Sequence, residues 1–565
     1  MPESSRVTRR ALVQQSSAAL VLPGVLFSAP DQPNPFMKIA GAPDSATAFD
    51  ETGSIPLQRS AATWRGQDIE VRILSTQSQS AIVVQAPKSA LRRVRLRWQI
   101  GQPSDLQYLG DQWERSYGDL AWRSMEPERV LPWYFIATNG NITYACGVKT
   151  GPAAFCFWQV DPSGVSLWLD LRNGGRGVKL AGRELAAATV VTDSYQGITP
   201  FAATARFCKR MCDSPHLPRA PVYGGNNWYY AYGKSSAADI RQDSERIASL
   251  ASSTDNKAFM VIDDGWGPNR TAGPWVRGNA QFPDMAGLAS DMRRIGVQPG
   301  LWMRPLFTKE PVDPGWQLQS PNAQRQYSRE QAATLDPTVP EVLEAIRRDV
   351  RTMAGWGYQL IKHDFSTYDL LGRWGFAMGA QLTDDNWNFV DRSRTNAEVI
   401  LDLYRAIRQA AGDVMLLGCN TVGHLAAGVF ELQRIGDDTS GRDWNRTRKM
   451  GVNTLAFRAP QHNTFFAVDA DCVGLTRQIP WESNRQWLDL LARSGTPLFV
   501  SAAPDAVGPE QREALKQAFQ TASTPRLLGE PLDWLQNSEP ERWSLQGAKA
   551  KYDWFGDAGA SPFAE

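Results

Sequence analysis

A (β/α)8 barrel preceded by an antiparallel β-sandwich is the fold class that this 565-residue sequence predicts. Three observations predict it. Up to about residue 215, apolar residues alternate with polar ones in short runs punctuated by Gly, Pro, Asn and Asp, the grammar of half-buried antiparallel strands. After residue 221, strand-like runs alternate with helical stretches, and eight strands over ~300 residues fit a closed barrel better than an open doubly wound sheet. No strand of that second zone leads into a Gly-rich phosphate loop, which removes the Rossmann and P-loop arrangements.

The elements follow in order. Residues 1–30 read as a leader: Arg9 and Arg10 follow Thr8, a modestly apolar stretch reaches Phe27, and Ser28-Ala29-Pro30 gives a small-residue exit. That pattern describes a secretory signal of the twin-arginine kind, with a retained disordered tail as the alternative. The stretch is too short and too polar to span a bilayer, and no later run reaches the ~20 apolar residues that would. The expectation is an exported chain without a transmembrane segment, in a bacterial periplasm or outside the cell. Residues 31–215 form the sandwich, with alternation at 68–74, 93–98, 144–148, 154–158 and 165–169. A linker with three prolines covers 213–221.

The barrel occupies 221–525. Its strands are read at 222–230, 259–264, 297–305, 358–365, 414–419, 432–437, 464–469 and 496–501. Helices are expected near 237–251, 285–295, 340–354, 394–411, 444–456, 484–493 and 509–522. Pro340 with Glu341 and Glu344 opens one of them, because Pro is pre-organised for a first turn and acids suit the positive end of the macrodipole. Residues 526–565 read as a short β extension containing a strand pair, too little for an independent domain.

Composition narrows the function classes. The 60 Lys+Arg and 59 Asp+Glu leave a net charge of +1, which argues against a nucleic-acid footprint. Six cysteines make no disulfide scaffold. Cys208 and Cys212 have half-site spacing, but His216 is the only nearby histidine, so no metal is expected there. Cys146 and Cys156 read as a buried pair or a bridge. The 21 tryptophans are the unusual count, and large apolar faces serve either a core or a sugar-stacking cleft.

Chemistry in such a barrel is built at the C-terminal ends of the strands. Those ends carry Asp263-Asp264-Gly265-Trp266, Trp302 to Arg304, Lys362-His363-Asp364, Cys419-Asn420, Arg434 with Asp437-Asp438, and Asp469 with Asp471. One aspartate after a strand is an ordinary helix cap; four acidic ends together point to a site. A divalent metal would take carboxylate oxygens, but only His363 and His424 lie near strand ends, and His363 alternates away from Lys362 and Asp364. No metal and no cofactor are expected. The other use of paired carboxylates is glycoside hydrolysis, with a nucleophile and an acid/base ~5–5.5 Å apart for retention. Trp228, Trp266 and Trp302 sit where a sugar could stack, whereas Trp98, Trp158 and Trp168 alternate in sandwich strands and read as packing.

The motifs carry a family resemblance. Residues 259–266, FMVIDDGW, resemble the strand-2 signature of the retaining α-galactosidase clan, glycoside hydrolase families 27 and 36. Gly300-Leu301-Trp302 with Pro305 is similar to the next strand end, 360–364 (LIKHD) resembles its lysine-x-aspartate motif, and 434–438 (RIGDD) resembles its arginine-initiated acid/base segment. A sandwich before the barrel is the family 36 arrangement. The resemblance implies that Asp364 is the nucleophile and Asp438 the acid/base, with Asp437 as the alternative, since strand alternation lets only one of the two point inward. It also implies that Asp263, Asp264, Trp302, Lys362, Arg434, Trp228, Trp266 and Cys419 bind an oligosaccharide or glycoconjugate substrate. Departures are His363, in place of an aromatic or aliphatic residue, and Met303-Arg304, in place of an acid. Cys419-Asn420-Thr421 and residues 499–504 resemble the raffinose-synthase-like branch, and the C-terminal β-domain is cut down. A galactosyl transferase of that type, an α-N-acetylgalactosaminidase and a non-catalytic carbohydrate-binding barrel are the alternatives.

Overall fold

The computed structural model describes residues 34–560 apart from 77, 252–254 and 557–558, so the leader expected at 1–30 lies outside the described residues. The sandwich is an all-antiparallel ladder, from Ser45–Asp50 to Leu185–Gln196, folded over on itself. Ser54–Ser60 carries the chain between the layers, pairing with Ser45–Asp50 on one side and Thr63–Gly66 on the other. Strict alternation builds the core: Ile69, Val71 and Ile73 point in, as do Val94, Leu96 and Trp98. Across the layers Trp158 meets Phe135 at 5.7 Å and donates its indole N–H to the Trp133 carbonyl at 3.1 Å. Trp98 and Trp158 are thus packing residues. Trp168 lies on the outer face, stacked on Phe157 and covered by Arg95.

Two readings of this half change. The all-β stretch ends at Gln196, and a helix, Pro200–Met211, fills the remainder before the linker, capped by the Thr199 hydroxyl, which accepts from the Ala202 N–H. Cys208 and Cys212 are buried one turn apart at its end, while His216 faces Glu431 at 3.4 Å. Cys146 and Cys156 are free, buried thiols and form no bridge.

The barrel strands are β1 (Tyr223–Asn226), β2 (Phe259–Ile262), β3 (Gln298–Met303), β4 (Leu360–His363) and β5 (Met415–Gly418). They continue with β6 (Leu432–Arg434), β7 (Ala467–Asp469), β8 (Cys472–Leu475) and β9 (Leu498–Ala502). All pair in parallel in the order β7-β6-β5-β4-β3-β2-β1-β9-β8. The two ends of that ladder, β7 and β8, are consecutive in the chain, so they are two halves of one staggered strand and the ring closes as an eight-stranded barrel. The break has a local cause. The Asp469 carboxylate accepts the Asp471 N–H at 3.0 Å, and Asp471 takes a left-handed φ of 72°, which turns the strand from its β6 pairing to its β9 pairing.

Strands buried on both faces read as unbroken apolar runs, as in Phe259–Ile262. Helix starts carry their signals: capping boxes at Ser236 with Asp239 and at Thr395 with Glu398, and Pro340 in the first turn of Pro340–Gly355. The run expected as strand over 222–230 stops at Asn226, whose side chain accepts the Trp228 N–H at 2.8 Å and starts a single helical turn, Trp228–Ala231. The C-terminal residues form three short strands, Glu530–Pro531, Arg542–Leu545 and Ala548–Lys551. They are tied to the barrel where the Trp444 indole donates to the Trp554 carbonyl at 2.8 Å. No helix among the described residues is long and apolar enough to cross a membrane.

Candidate active site

A cavity opens at the C-terminal ends of the barrel strands. It is lined by Asp263 and Asp264 after β2, Trp302 of β3, Lys362 of β4 with Asp364, and Asp437 and Asp438 beyond β6. Trp228, Phe365 and Trp374 supply aromatic walls. Both members of the 437–438 pair reach the cavity, which corrects the expectation that one must turn away. β6 ends at Arg434, so strand alternation no longer governs those residues.

Asp263 is held by three donors. One oxygen accepts from the Asn226 amide and from the Lys362 ammonium, both at 2.7 Å, and the other accepts the Asp264 N–H at 2.9 Å. Lys362 is buried, and desolvation opposes its charge, but Asp263 beside it wins and moves its pKa upward. Lys362 thereby stands as a fixed cation beneath Asp364. That carboxyl is also buried, which alone would raise its pKa. Lys362, Arg115, the Trp302 indole and the Phe365 N–H outweigh burial and hold it below the usual carboxylate range. The hydrogen bonds are Trp302 Nε1 to Oδ2 at 3.0 Å, and the Phe365 and Asn420 N–H groups to Oδ1 at 2.7 and 3.1 Å. His363 alternates to the outer side as expected, wedged between Tyr404 and Phe430, and burial drives its pKa down to about 3, so it is neutral.

Arg434 organises the opposite wall from below. Its guanidinium reaches Asp469 at 3.2 Å, Asp471 at 2.6 Å and Asp438 at 3.1 Å. Asp471 is further bound by Tyr229 Oη and the Thr439 N–H, so its charge is well housed. Asp438 pairs with Arg434, has Arg115 4.0 Å away, and opens into the cavity. Burial of its carboxyl against Asp471 raises its pKa, and Arg434 and Arg115 offset this only in part. The two carboxyls on the walls of one cavity are therefore pushed in opposite directions.

The sandwich completes the site. Residues 111–118 leave that domain and lie along the segment after β6, where the Ser116 N–H donates to Ile435 O at 2.8 Å and the Asp437 N–H donates to Ser116 O at 3.0 Å. This places Arg115 in the cavity wall, 3.2 Å from Asp437. Asp437 also receives Arg446 at 2.5 Å. Behind Arg115, buried Glu114 accepts from the Gly375 N–H at 2.9 Å and from the Asn420 amide. Sequence reasoning confined to strand ends missed Arg115, because an arginine in a sandwich loop carries no signal of a site formed by the other half of the chain. It also missed Trp374 and Phe365: Trp374 lies in a loop ten residues past Asp364, and Phe365 follows an acid that drew attention to itself.

Three expected contacts are corrected. Trp266 is fully buried, donates its indole N–H to Trp302 O at 2.9 Å, and packs on Trp275 and Trp356, so it supports Trp302 and offers no stacking face. Cys419 is buried beneath the cavity and does not line it; lack of solvent keeps its thiol pKa high. Arg434 acts on Asp438 from below and is likewise absent from the lining. Arg304, where an acid was expected, is buried against Asp369 at 2.5 Å and lies over Phe365.

Asp264 carries a cost that can be measured. Burial, then Asp263 and Asp364 beside it, move its pKa up to about 7. Its folded pKa lies above the unfolded value of about 3.9, so the folded chain holds the proton more tightly and stability falls as pH rises from ~4 to ~7. Asp264→Asn removes that dependence. The expected result is a gain in unfolding free energy over wild type, read from urea melts, that is larger at pH 8 than at pH 5 by on the order of a few kcal/mol. Equal effects at both pH values would mean that Asp264 does not titrate in this window.

No family model matches the sequence, and no curated protein matches it. Solved structures do match. The α-galactosidase TtGalA from Thermus thermophilus, in complex with p-nitrophenyl α-D-galactopyranoside, is 17% identical with a TM-score of 0.57, covering 90% of this chain and 99% of its own. A variant of the GH36 α-galactosidase AgaA from Geobacillus stearothermophilus, in complex with 1-deoxygalactonojirimycin, is 12% identical with a TM-score of 0.57, over 88% and 78%. The galactosidase domain of the α-galactosidase-sucrose kinase AgaSK is 14% identical with a TM-score of 0.52, over 85% and 74%. At these identities the likeness is one of fold, and it covers sandwich and barrel together.

Proposed function

We propose that the chain is a retaining α-glycosidase of the α-galactosidase kind, in which Asp364 is the nucleophile and Asp438 the acid/base. One observation carries the reading: two carboxyls face one cavity, Asp364 held ionised by Lys362 and three hydrogen bonds, Asp438 held toward its protonated form by burial and Asp471. A nucleophile needs the first state and a general acid the second. The fold supports the reading, since the matched structures are α-galactosidases and two of them were solved in complex with stachyose and with raffinose.

The mechanism follows from these positions. Asp364 attacks the anomeric carbon while Asp438 protonates the departing oxygen, giving a covalent glycosyl-enzyme. Asp438, now ionised, takes a proton from water as that water releases the sugar. Asp438 is preferred over Asp437 because both oxygens of Asp437 face arginines, Arg115 and Arg446, whereas Asp438 remains open to the cavity. Asp263 and Asp264 bind hydroxyls of the terminal sugar, Lys362 bridges to Asp263, and Trp228 and Trp302 shape the pocket. No metal or cofactor takes part. The paired arginines and small-residue exit read within residues 1–30 favour export to a periplasm or the medium.

The test is a screen of the full chain against aryl α-galactoside, aryl α-N-acetylgalactosaminide and raffinose, with and without a chelator. Hydrolysis of the α-galactosides with retained configuration, insensitive to chelator, is expected. Loss of activity with chelator would return the metal reading. Growth of longer oligosaccharides when acceptor sugar is added would move the chain to the transferase class on the same two aspartates.

A further inference from the structure

We propose that the sandwich segment 114–117 builds the subsite for the leaving group, with Arg115 hydrogen-bonding the first sugar beyond the scissile bond and Phe376 carrying the second. This rests on the glycosidase reading above and adds to it a specificity for leaving groups of at least two sugars.

Arg115 is the starting point. Its side chain is only 6% exposed, yet it lines the cavity. Its Nε lies 3.6 Å from buried Glu114, behind the cavity wall, while its Nη1 lies 3.2 Å from Asp437 and 4.0 Å from Asp438, both of which line the cavity. Charge-assisted hydrogen bonds run ~2.7–2.9 Å, so this guanidinium is balanced in charge but unsatisfied in donors. Buried donors left in that state are costly. Because three carboxylates already surround it, the missing partner is a neutral acceptor such as a sugar hydroxyl, and an anion is not required.

The side of the cavity gives the direction. Arg115 stands next to Asp438, which protonates the departing oxygen in the proposed mechanism, so the group attached to that oxygen must pass Arg115. Aromatic rings continue the path. The guanidinium lies over Trp374 at 5.5 Å and Tyr117 at 5.9 Å, and Trp374 is itself stacked on Tyr368 at 4.5 Å. Two residues on, Phe376 is 66% exposed while its ring is held edge-on by Tyr117 at 4.9 Å. Phe376 lies outside the cavity lining but two residues from Trp374, which is part of it, and a large aromatic held in position and left open there can serve as a stacking surface.

The platform is anchored to the catalytic wall. Gly375 lies between Trp374 and Phe376 and donates its N–H to Glu114 at 2.9 Å; a Cβ there would come within 2.7 Å of the Glu114 side chain, so only glycine admits this approach. The other Glu114 oxygen accepts from Asn420, whose N–H bonds Asp364. By microscopic reversibility the surface that releases a leaving group also receives an acceptor sugar.

The experiment compares kcat/KM for p-nitrophenyl α-galactoside, melibiose and raffinose in wild type, Arg115→Met, Arg115→Lys and Phe376→Ala, using the full chain. The expected result is that Arg115→Met loses at least about 10-fold more on raffinose than on the aryl substrate. Phe376→Ala should raise KM for raffinose by about 5-fold and for melibiose by less. Parallel losses on all three substrates would overturn the proposal and leave Arg115 a support for Asp437 and Asp438. If Arg115→Met does not fold, Arg115→Lys and the exposed Phe376 decide alone, and wild-type values for raffinose in Phe376→Ala overturn the proposal. A wild type that cleaves none of the three overturns the glycosidase reading and this subsite with it.

Discussion

Asp364→Ala should lower kcat on an aryl α-galactoside by about 10⁴-fold or more, and azide added to that variant should restore turnover with release of β-galactosyl azide. The size follows from the site. Three hydrogen bonds and a buried lysine are arranged around this carboxylate, and none can stabilise a charge that the side chain no longer carries. Truncation opens room on the face from which attack occurs, and a small anion enters there next to Lys362. Attack from that face inverts an α-linkage, so the β-azide identifies Asp364 as the nucleophile. Turnover equal to wild type, or an α-azide, would reject the assignment. Melting temperature should fall, because the substitution leaves buried Lys362 and three hydrogen-bond donors without the carboxylate that offsets them.

The second large effect is on Asp438→Ala. Raffinose hydrolysis should fall by about 10³-fold, whereas an aryl substrate whose leaving group needs no proton should lose far less in its first step. The pH profile gives the sharper signature. Activity needs Asp364 ionised, and Asp364 is held low, so the acid limb lies below the usual carboxylate range. Activity also needs Asp438 protonated, and Asp438 is raised, so the alkaline limb lies above that range. Asp438→Ala should remove the alkaline limb and keep the acid one. Asp437→Ala, measured beside it, should keep both; loss of the alkaline limb there would exchange the roles of the two aspartates.

The barrel was legible because its strands are buried on both faces. Phe259–Ile262 is a pure apolar run that stops at acids, and Leu360–His363 starts with two apolar residues and ends in Lys362-His363 before Asp364. Local sequence suffices to mark such boundaries. Asp263, Asp264, Lys362 and Asp364 fell in place for that reason. Where the chain leaves regular structure, periodicity loses its hold. Asp437 and Asp438 follow the end of β6, so alternation misjudged them. β7 and β8 are parted by an aspartate turn that no apolar pattern records. Trp266 shares its sequence context with a rim residue, yet a cluster of distant tryptophans closes over it. Arg115 was out of reach altogether: its role depends on a pairing between residues 116 and 436, some 320 positions apart.

That pairing bears on how such a protein can be altered by exchange of parts. The sandwich and the barrel look like separate modules joined by a proline-rich linker, the kind of boundary at which chains are commonly cut and recombined. Here the cut would not be clean. The backbone groups on either side of Gly436 are held by Ser116, and Arg458 ties Glu114 O and Ile435 O together from beneath. A foreign sandwich could match the linker and still leave the Asp438 loop without its scaffold. Any graft that keeps this chemistry must carry residues 111–118 with the barrel, so the heritable unit of the site is discontinuous in the chain.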